Sequence, residues 1–178
     1  MKFRRNNGIE ERLLRLARKI ESSARRDDER ILEMQKIAAR RALAAAELHA
    51  ACASFVHSVN KLLPKPMLEL SPPDFTAASF REPGPNVYQL AVSGRIVHLE
   101  FRATDTLMST EKFRIPYILE GAVRTFNQEL LDMPAVAERL LFCCLEGSEA
   151  NWLWFDVRTR RAEPLDQDHL IDLLEPLL

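Results

Sequence analysis

Glycine is scarce in this chain, and its few glycines are isolated. Five occur in 178 residues, and each stands alone at a predicted turn or terminus. Phosphate-binding loops need clustered glycines so that the backbone can approach the ligand closely. The sequence therefore excludes a P-loop and a dinucleotide-binding fingerprint, and we expect no cofactor.

Cysteine is scarce as well. The chain has three cysteines, and two of them are adjacent, at Cys143 and Cys144. They cannot form the evenly spaced disulfide framework of a small secreted domain, and free thiols fit a reducing compartment. The basic N-terminus is not followed by an apolar h-region, and no apolar run reaches about 18 residues. We expect a cytoplasmic protein that does not bind a membrane.

Residues 9–63 contain neither glycine nor proline. Their apolar side chains recur at steps that alternate between three and four, which is the a/d seam of a coiled coil. Two steps of four meet at Ile20, and such an insertion is a stutter that locally unwinds the supercoil. The seam residues are Ile9, Leu13, Leu16, Ile20, Ala24, Asp27, Ile31, Met34, Ala38, Arg41, Ala45, Leu48, Cys52, Phe55, Val59 and Leu62.

The predicted helical segment, residues 1–63, contains a continuous helix over residues 9–63 that would span about 80 Å, which is too long for a compact domain built from the rest of the chain to cover. It either folds back near residues 22–28 or pairs with the same helix of another copy. We favour the pair and expect a homodimer, and an antiparallel pair could place polar Asp27 of one copy near Arg41 of the other. The expected interface consists of Ile31, Met34, Ala38, Arg41, Ala45, Leu48, Cys52 and Phe55.

Charge is distributed unevenly along the chain. Residues 1–63 hold fourteen Lys or Arg and eight Asp or Glu, net +6, whereas residues 64–178 hold eleven and eighteen, net −7. A basic helix could neutralise nucleic-acid phosphates. The candidate residues are Arg15, Arg18, Lys19, Arg25 and Arg26. Acidic residues are interleaved with them and no aromatic residue between Phe3 and Phe55 could stack on bases, so a solvated helix flank is the default interpretation.

Proline marks the next segment. Six of the ten prolines lie within residues 64–86, which predicts a connector because proline removes backbone donors. Within the connector, Ser71 could cap a short helix over residues 73–80. The connector separates the long helix from a sheet domain over residues 87–178.

The sheet domain begins with a predicted hairpin. Strands over residues 87–92 and 95–102 flank a two-residue Ser-Gly loop, and counting outward pairs Leu90 with Val97. The elements predicted after it are a strand over 112–117, a bulge or tight turn at Gly121 before a strand over 122–126, a short helix within 127–138, a second hairpin of 140–145 and 152–158, and a C-terminal helix capped by Asp166.

The strands of the second hairpin are apolar on both faces, whereas a sheet with one wet face alternates. Both faces must therefore be covered. The C-terminal helix carries Leu170, Leu174 and Leu177 on one stripe and can cover one face. The long helix, its dimer mate or another protein must cover the other. Trp152 and Trp154 point to one side of their strand, where they are either core residues or anchors of a partner-binding surface.

Metal-ligating side chains do not converge in this sequence. His49 and Cys52 lie one helical turn apart, but packing in the seam explains them better than metal binding, which needs further ligands. We therefore expect no resident metal site.

One pair of short segments resembles a catalytic motif. Pro73-Asp74, followed by Glu100-Phe101-Arg102, resembles the PD-(D/E)xK nuclease signature. The resemblance implies that Asp74 and Glu100 would hold Mg²⁺ and that Arg102 would replace the lysine that positions the attacking water. Arginine does not reproduce a compact ammonium group, so this cluster departs from the family at its third residue.

The sequence thus predicts an α+β protein with a long N-terminal coiled-coil-like helix, a five- or six-stranded antiparallel sheet and a C-terminal helix. We expect a non-enzymatic scaffold or adaptor that self-associates through the long helix and binds an unknown protein partner through the sheet domain. The alternative is a nucleic-acid-binding protein or a divalent-metal nuclease that uses the basic helix and the Asp74, Glu100 and Arg102 cluster.

Overall fold

The structure, a computed structural model, describes residues 3–111, 113–128 and 135–178, with side chains from residue 8 onward and, in the strand that begins at Ala135, from Glu138 onward. These residues form a long N-terminal helix, a seven-stranded antiparallel sheet and a C-terminal helix. The predicted α+β fold is confirmed, with more strands than expected. By compactness the chain divides into residues 1–38 and 39–178, whereas the predicted segments end at residues 63 and 86.

Helix α1 runs without interruption from Phe3 to Leu62, so the alternative of a fold-back near residues 22–28 is wrong. The amide of Asn60 organises the chain just after the helix. Its Nδ2 donates to the backbone oxygen of Leu68 over 2.8 Å, and its Oδ1 accepts from the backbone N–H groups of Met67 and Leu68 at 3.0 Å. The prolines that follow carry no N–H and cannot continue the helix.

Strands that are consecutive in sequence are neighbours in the sheet, and each runs antiparallel to the next. The elements after α1 are β1 (Glu69–Ser71), β2 (Asn86–Val92), β3 (Arg95–Met108), β4 (Tyr117–Asn127), β5 (Ala135–Glu146), β6 (Glu149–Asp156), β7 (Arg161–Pro164) and α2 (Gln167–Leu174), with 3₁₀ turns at Ala77–Ser79 and Glu175–Leu177. Short connections therefore build most of the sheet, as the hairpin signals predicted.

The first hairpin has the predicted turn and register. Ser93 and Gly94 connect β2 to β3 with φ angles of 46° and 79°, the left-handed conformation that suits a two-residue turn between twisted strands. Leu90 pairs with Val97. The second hairpin, β5 to β6, is also present.

Both helices pack on one side of the sheet, which we call the helix face. From this face the hydroxyl of Tyr88 donates to the backbone oxygen of Ala45 over 2.8 Å, and Nε1 of Trp152 donates to that of Ala44 over 2.9 Å. Both acceptors belong to α1. The long helix of the same chain therefore provides this cover.

Helix α2 lies on the helix face too. Its N-cap is Asp166, as predicted, which accepts from the backbone N–H of His169. The ring of His169 stacks on Trp154 with centroids 4.1 Å apart, and Trp154 is two positions from Trp152 on the same side of β6. The long helix was one of three alternatives for covering the face opposite α2, and that alternative is wrong because both helices lie on the helix face.

The opposite side of the sheet, the open face, is covered only in part by described residues. Phe113, in the connection between β3 and β4, stacks on Phe142 with centroids 4.3 Å apart and contacts Phe155 edge to face. These rings form a second apolar cluster with Tyr117 and Cys144. The apolar character of β5 on both sides is thus explained without a partner.

Arg41 is buried where α1, β3 and β4 meet. Its Nε donates to the backbone oxygen of Ile118 over 3.0 Å, its Nη2 donates to that of Thr104, and its Nη1 pairs with Glu82. The predicted pairing of Arg41 with Asp27 of another copy is therefore wrong, because its guanidinium is satisfied inside its own chain.

Several predicted elements differ in the structure. Residues 113–116 are not a strand, and β4 instead runs through Gly121 as one strand. Of the helix predicted within 127–138, residues 129–134 lie outside the described residues, and the rest belongs to β4, the following turn and β5. The short strands β1 and β7 were not predicted.

The connector differs as well. Ser71 ends β1 instead of capping a helix, and the helix predicted over residues 73–80 is a single 3₁₀ turn capped by Thr76. Strand β1 exists because Leu70 pairs with Leu90 at the edge of β2. The sequence of a three-residue segment cannot indicate such a contact with a distant strand.

Replacing Gly121 with alanine should destabilise the fold. A Cβ at this position would lie 1.9 Å from the backbone oxygen of Glu100 and 2.7 Å from Cα of Phe101, and a backbone clash cannot be relieved by a rotamer change. We expect a loss of about 3 kcal/mol in the free energy of unfolding, measured by urea denaturation. Gly8→Ala is the matched control, because nothing lies within 4 Å of its Cβ. Equal stability of the two variants would contradict the close approach.

Candidate interaction surfaces

The seam of α1 is exposed over the first compact unit. Between Ile9 and Met34 its large apolar side chains are half or more accessible. They are Ile9 (57%), Leu13 (59%), Leu16 (53%), Ile20 (62%), Ile31 (54%) and Met34 (67%). An amphipathic helix normally buries its apolar stripe, so this stripe is a candidate interaction surface.

The seam beyond residue 38 has a different environment. Arg41, Ala45, Leu48, Cys52 and Phe55 are each no more than 6% exposed, and in the second compact unit they face the sheet of their own chain. These five residues were predicted to contact a second copy, and that prediction is wrong for them. Of the predicted interface, Ile31 and Met34 are exposed and Ala38 is half-buried.

A row of alternating charges crosses the open face. Nη1 of Arg124 lies 3.2 Å from Oε2 of Glu100, and its Nε lies 2.8 Å from Oε2 of Glu138. The hydrogen bond to Glu138 raises the pKa of Arg124. Beside this group, Arg102 and Glu120 form a second pair at 3.1 Å. The carboxylates of this row are therefore neutralised by neighbouring strands.

His98 extends the row toward the sheet edge. Its Nδ1 is 3.0 Å from Nε2 of Gln89, and its Nε2 is 3.5 Å from Oε2 of Glu100. If the amide of Gln89 donates, Nδ1 is the acceptor and Nε2 carries the proton that faces the carboxylate. This arrangement fixes the ring orientation and leaves Glu100 with two donors.

A cleft of about 490 Å³ lies beside the charged row on the open face. Phe142, Leu140, Phe155 and Val157 contribute apolar surface to it, and the side chain of Val157 is 53% exposed. Arg102, Arg124 and their acidic partners form its polar side. An apolar floor next to paired charges suits a polypeptide better than an ionic substrate.

The structure does not bring the three nuclease candidates together. Glu100 and Arg102 both lie on the open face, but each is paired with a residue of β4. Asp74 is exposed, and its neighbour Phe75 packs against Tyr88, on the helix face. No group of three metal-ligating side chains occurs within the part of the chain that the structure describes.

Trp152 and Trp154 are buried, at 9% and 7% exposure. The predicted partner-binding role is therefore wrong for them in this chain, because α1 and α2 cover both rings. The ring of Trp154 contacts both His169 and Arg139, whose guanidinium carbon is 4.5 Å from the ring centroid. Its Nε1 is buried and has no hydrogen-bond partner among the described residues.

The remaining candidate residues, His49 and the three cysteines, are buried in the interior of the fold. His49 is buried, and its Nε2 is 2.8 Å from the backbone oxygen of Pro72. Burial raises the pKa of the Cys52 and Cys144 thiols to about 12, and that of Cys143 is raised as well. All three thiols are therefore protonated near neutral pH and are poor nucleophiles.

The basic residues proposed for nucleic-acid binding are all exposed on α1. Arg15 lies 3.3 Å from Glu11 of the preceding turn, which is a solvent-exposed pair of small energetic value. The others are Arg18, Lys19, Arg25 and Arg26. Acidic side chains on the same helix are equally exposed, as a solvated flank requires.

Helix α1 contains a stretch that meets the length and composition criteria for crossing a membrane. Its 18-residue window has a mean hydropathy of 1.2, and 33% of it is buried. Core helices of soluble proteins meet the same criteria, and the alanine-rich part of α1 packs on the sheet. Composition alone is weak support for a membrane span.

No protein-family model, curated protein or solved structure matches this chain. Function is therefore inferred from the surfaces themselves.

Stability of the fold should decrease on mild acidification because of His169. Burial lowers the pKa of its imidazole below 6.5, and the positive charge of Arg139, whose Nη1 lies 3.3 Å from its Nε2, adds to the shift. The unfolded chain binds a proton near pH 6.5 that the folded chain resists, so stability is complete above about pH 7 and falls as the pH drops through 6.5.

Urea denaturation at pH 7.5, 6.5 and 5.5 measures this effect. His169→Gln should show a smaller loss of stability over this range than the unchanged chain. His57→Gln, at an exposed histidine of α1, is the control and should keep the full loss. The same pH slope in all three proteins would show that His169 does not set it.

Proposed function

We propose that the protein is a non-enzymatic adaptor that self-associates through residues 9–38 of α1 and binds a segment of another protein on the open face of its sheet. The exposed seam carries this proposal. A continuous helix with a regular a/d stripe buries the later part of that stripe in its own sheet and leaves the earlier part accessible.

The exposed seam favours a helical partner over a flat one. Its residues follow the alternation of three and four that keeps a narrow stripe facing another helix. The free stretch contains about four heptads, which is enough to sustain a coiled coil. A second copy of the same helix offers the same spacing, and it is always present at equal concentration.

The cleft on the open face supports the second half of the proposal. Its apolar residues Leu140, Phe142, Phe155 and Val157 lie within reach of arginine and glutamate pairs, so a bound segment would find apolar contact and hydrogen-bond partners side by side. The pairing of every carboxylate of the charged row argues against acid–base chemistry there. An adaptor role needs binding only.

Self-association should depend on the seam and not on general surface hydrophobicity. Leu13→Gln with Leu16→Gln removes four apolar side chains from a pair, at about 1 kcal/mol each for partly exposed positions. We expect the dissociation constant to rise roughly a thousandfold. Light scattering behind a sizing column, over a range of protein concentrations, measures the mass.

The matched control replaces two leucines that are equally exposed but lie off the seam. Leu14 and Leu32 are 57% and 53% exposed, and Leu14→Gln with Leu32→Gln should keep the mass of the unchanged chain. A monomeric mass for the unchanged chain at all concentrations would reject self-association. Absorbance at 260 nm that co-elutes and is removed by salt would indicate nucleic acid bound to the basic side chains instead.

Binding at the cleft can be tested with displayed peptides of about ten residues selected against the full chain. We expect enriched peptides to carry apolar residues and to lose binding to Val157→Glu. Ile171→Glu is the control, because Ile171 is also exposed, at 41%, but lies on α2. Peptides that bind both variants equally, or no enrichment at all, would reject the cleft as a binding site.

A further inference from the structure

The free part of the seam has one end that the sequence pattern sets and one end that burial in the structure sets. It begins at Ile9, and the first seam position buried in the second compact unit is Arg41, so the last available position is Ala38. The seam available to a second copy is therefore that of residues 9–38. Two copies of this stretch can overlap completely in two orientations. In the parallel orientation each residue faces the same residue of the other copy, and in the antiparallel orientation Ile9 lies opposite Ala38.

The spacing of the free seam reads the same from either end at every position except Ala24. In the antiparallel arrangement each outer seam residue meets a seam residue of the second copy. The facing pairs are Ile9 with Ala38, Leu13 with Met34, Leu16 with Ile31, and Ile20 with Asp27. A two-fold pair requires this property, because residue i must contact j where j contacts i. The outer seam positions thus match their own reversal.

The stutter lies at the centre of this symmetry. Ile20 and Asp27 are one heptad apart, and the midpoint falls between Ser23 and Ala24. Only the stutter breaks the symmetry of the spacing. It places Ala24 beside Ser23 of the other copy, and both side chains are small enough to sit near a two-fold axis.

Charge distinguishes the two arrangements independently of spacing. Residues 12–19 carry four basic side chains and no acidic one, whereas residues 28–35 carry three acidic side chains and one basic. The parallel arrangement places the first block against itself. The antiparallel arrangement places it against the second block, and like charges that face each other are destabilising whereas opposite charges are not.

We propose that two copies of the chain pair through residues 9–38 of α1 in antiparallel orientation, with the two-fold axis at Ser23 and Ala24. This inference rests on the proposed self-association and adds its orientation and register. Asp27, polar on the seam, then lies next to Ile20 and Lys19 of the second copy, where the ammonium group of Lys19 can pair with its carboxylate.

Single cysteines introduced into the full chain test the orientation by diamide oxidation. Leu13→Cys and Met34→Cys should each fail to crosslink alone. After mixing and exchange they should crosslink up to about half of the chains, the statistical share of mixed pairs. The mixture of Leu13→Cys with Ile31→Cys is the register control, three residues out of alignment, and should crosslink less. The three native cysteines are buried, so the unchanged chain provides the background.

Ala24→Cys reports association itself, because residue 24 lies near its copy in either orientation and within disulfide reach of about 6 Å. Crosslinks of Leu13→Cys and Met34→Cys with themselves, but not with each other, would overturn the antiparallel orientation while self-association stands. A second facing pair, Leu16→Cys with Ile31→Cys, must give the same answer as the first. Absence of crosslinks in Ala24→Cys, together with a monomeric mass, would overturn self-association and the orientation with it.

Discussion

A buried arginine connects the principal elements of the second compact unit. Arg41 comes from α1 and satisfies backbone oxygens of β3 and β4, at Thr104 and Ile118, and the carboxylate of Glu82 in the connector. A buried charge without such partners would cost several kcal/mol. The position of α1 on the sheet, the irregular end of β3 and the course of the connector therefore depend on one another through a single side chain.

The buried Arg41 also marks the point on the seam where exposure to solvent ends and packing on the sheet begins. Up to Ala38 the stripe has the spacing of a coiled coil and is accessible to another helix. From Arg41 onward the same spacing continues, but the stripe packs on the sheet. Tyr88 and Trp152 bind the helix backbone at Ala44 and Ala45, which is possible because alanine leaves that backbone accessible. Small residues on the seam therefore allow a sheet to approach α1 closely.

The sequence predicted elements whose signal is local. The hairpin at Ser93-Gly94 and the α2 cap at Asp166 were predicted because turn and cap chemistry lie within a few residues. The environment of the seam after residue 38 could not be predicted, since a helix that packs on a sheet and one that packs on a helix both repeat near 3.6 residues. Gly121 was interpreted as a bulge or tight turn because the nearness of the Glu100 backbone is a tertiary property. The cleft on the open face had no sequence signal, because its residues come from several strands.

The chain has two tryptophans and two tyrosines, and all four lie between residues 88 and 154. Tryptophan and tyrosine absorbance and fluorescence therefore arise from the second compact unit, and Trp154, which contacts an imidazole and a guanidinium, should differ in emission from Trp152. Residues 8–38 contribute only amide signals in the far ultraviolet. In one sample, a loss of helical circular dichroism without a change in tryptophan fluorescence would therefore indicate that helix melts while the surroundings of the tryptophans stay intact, without any added label.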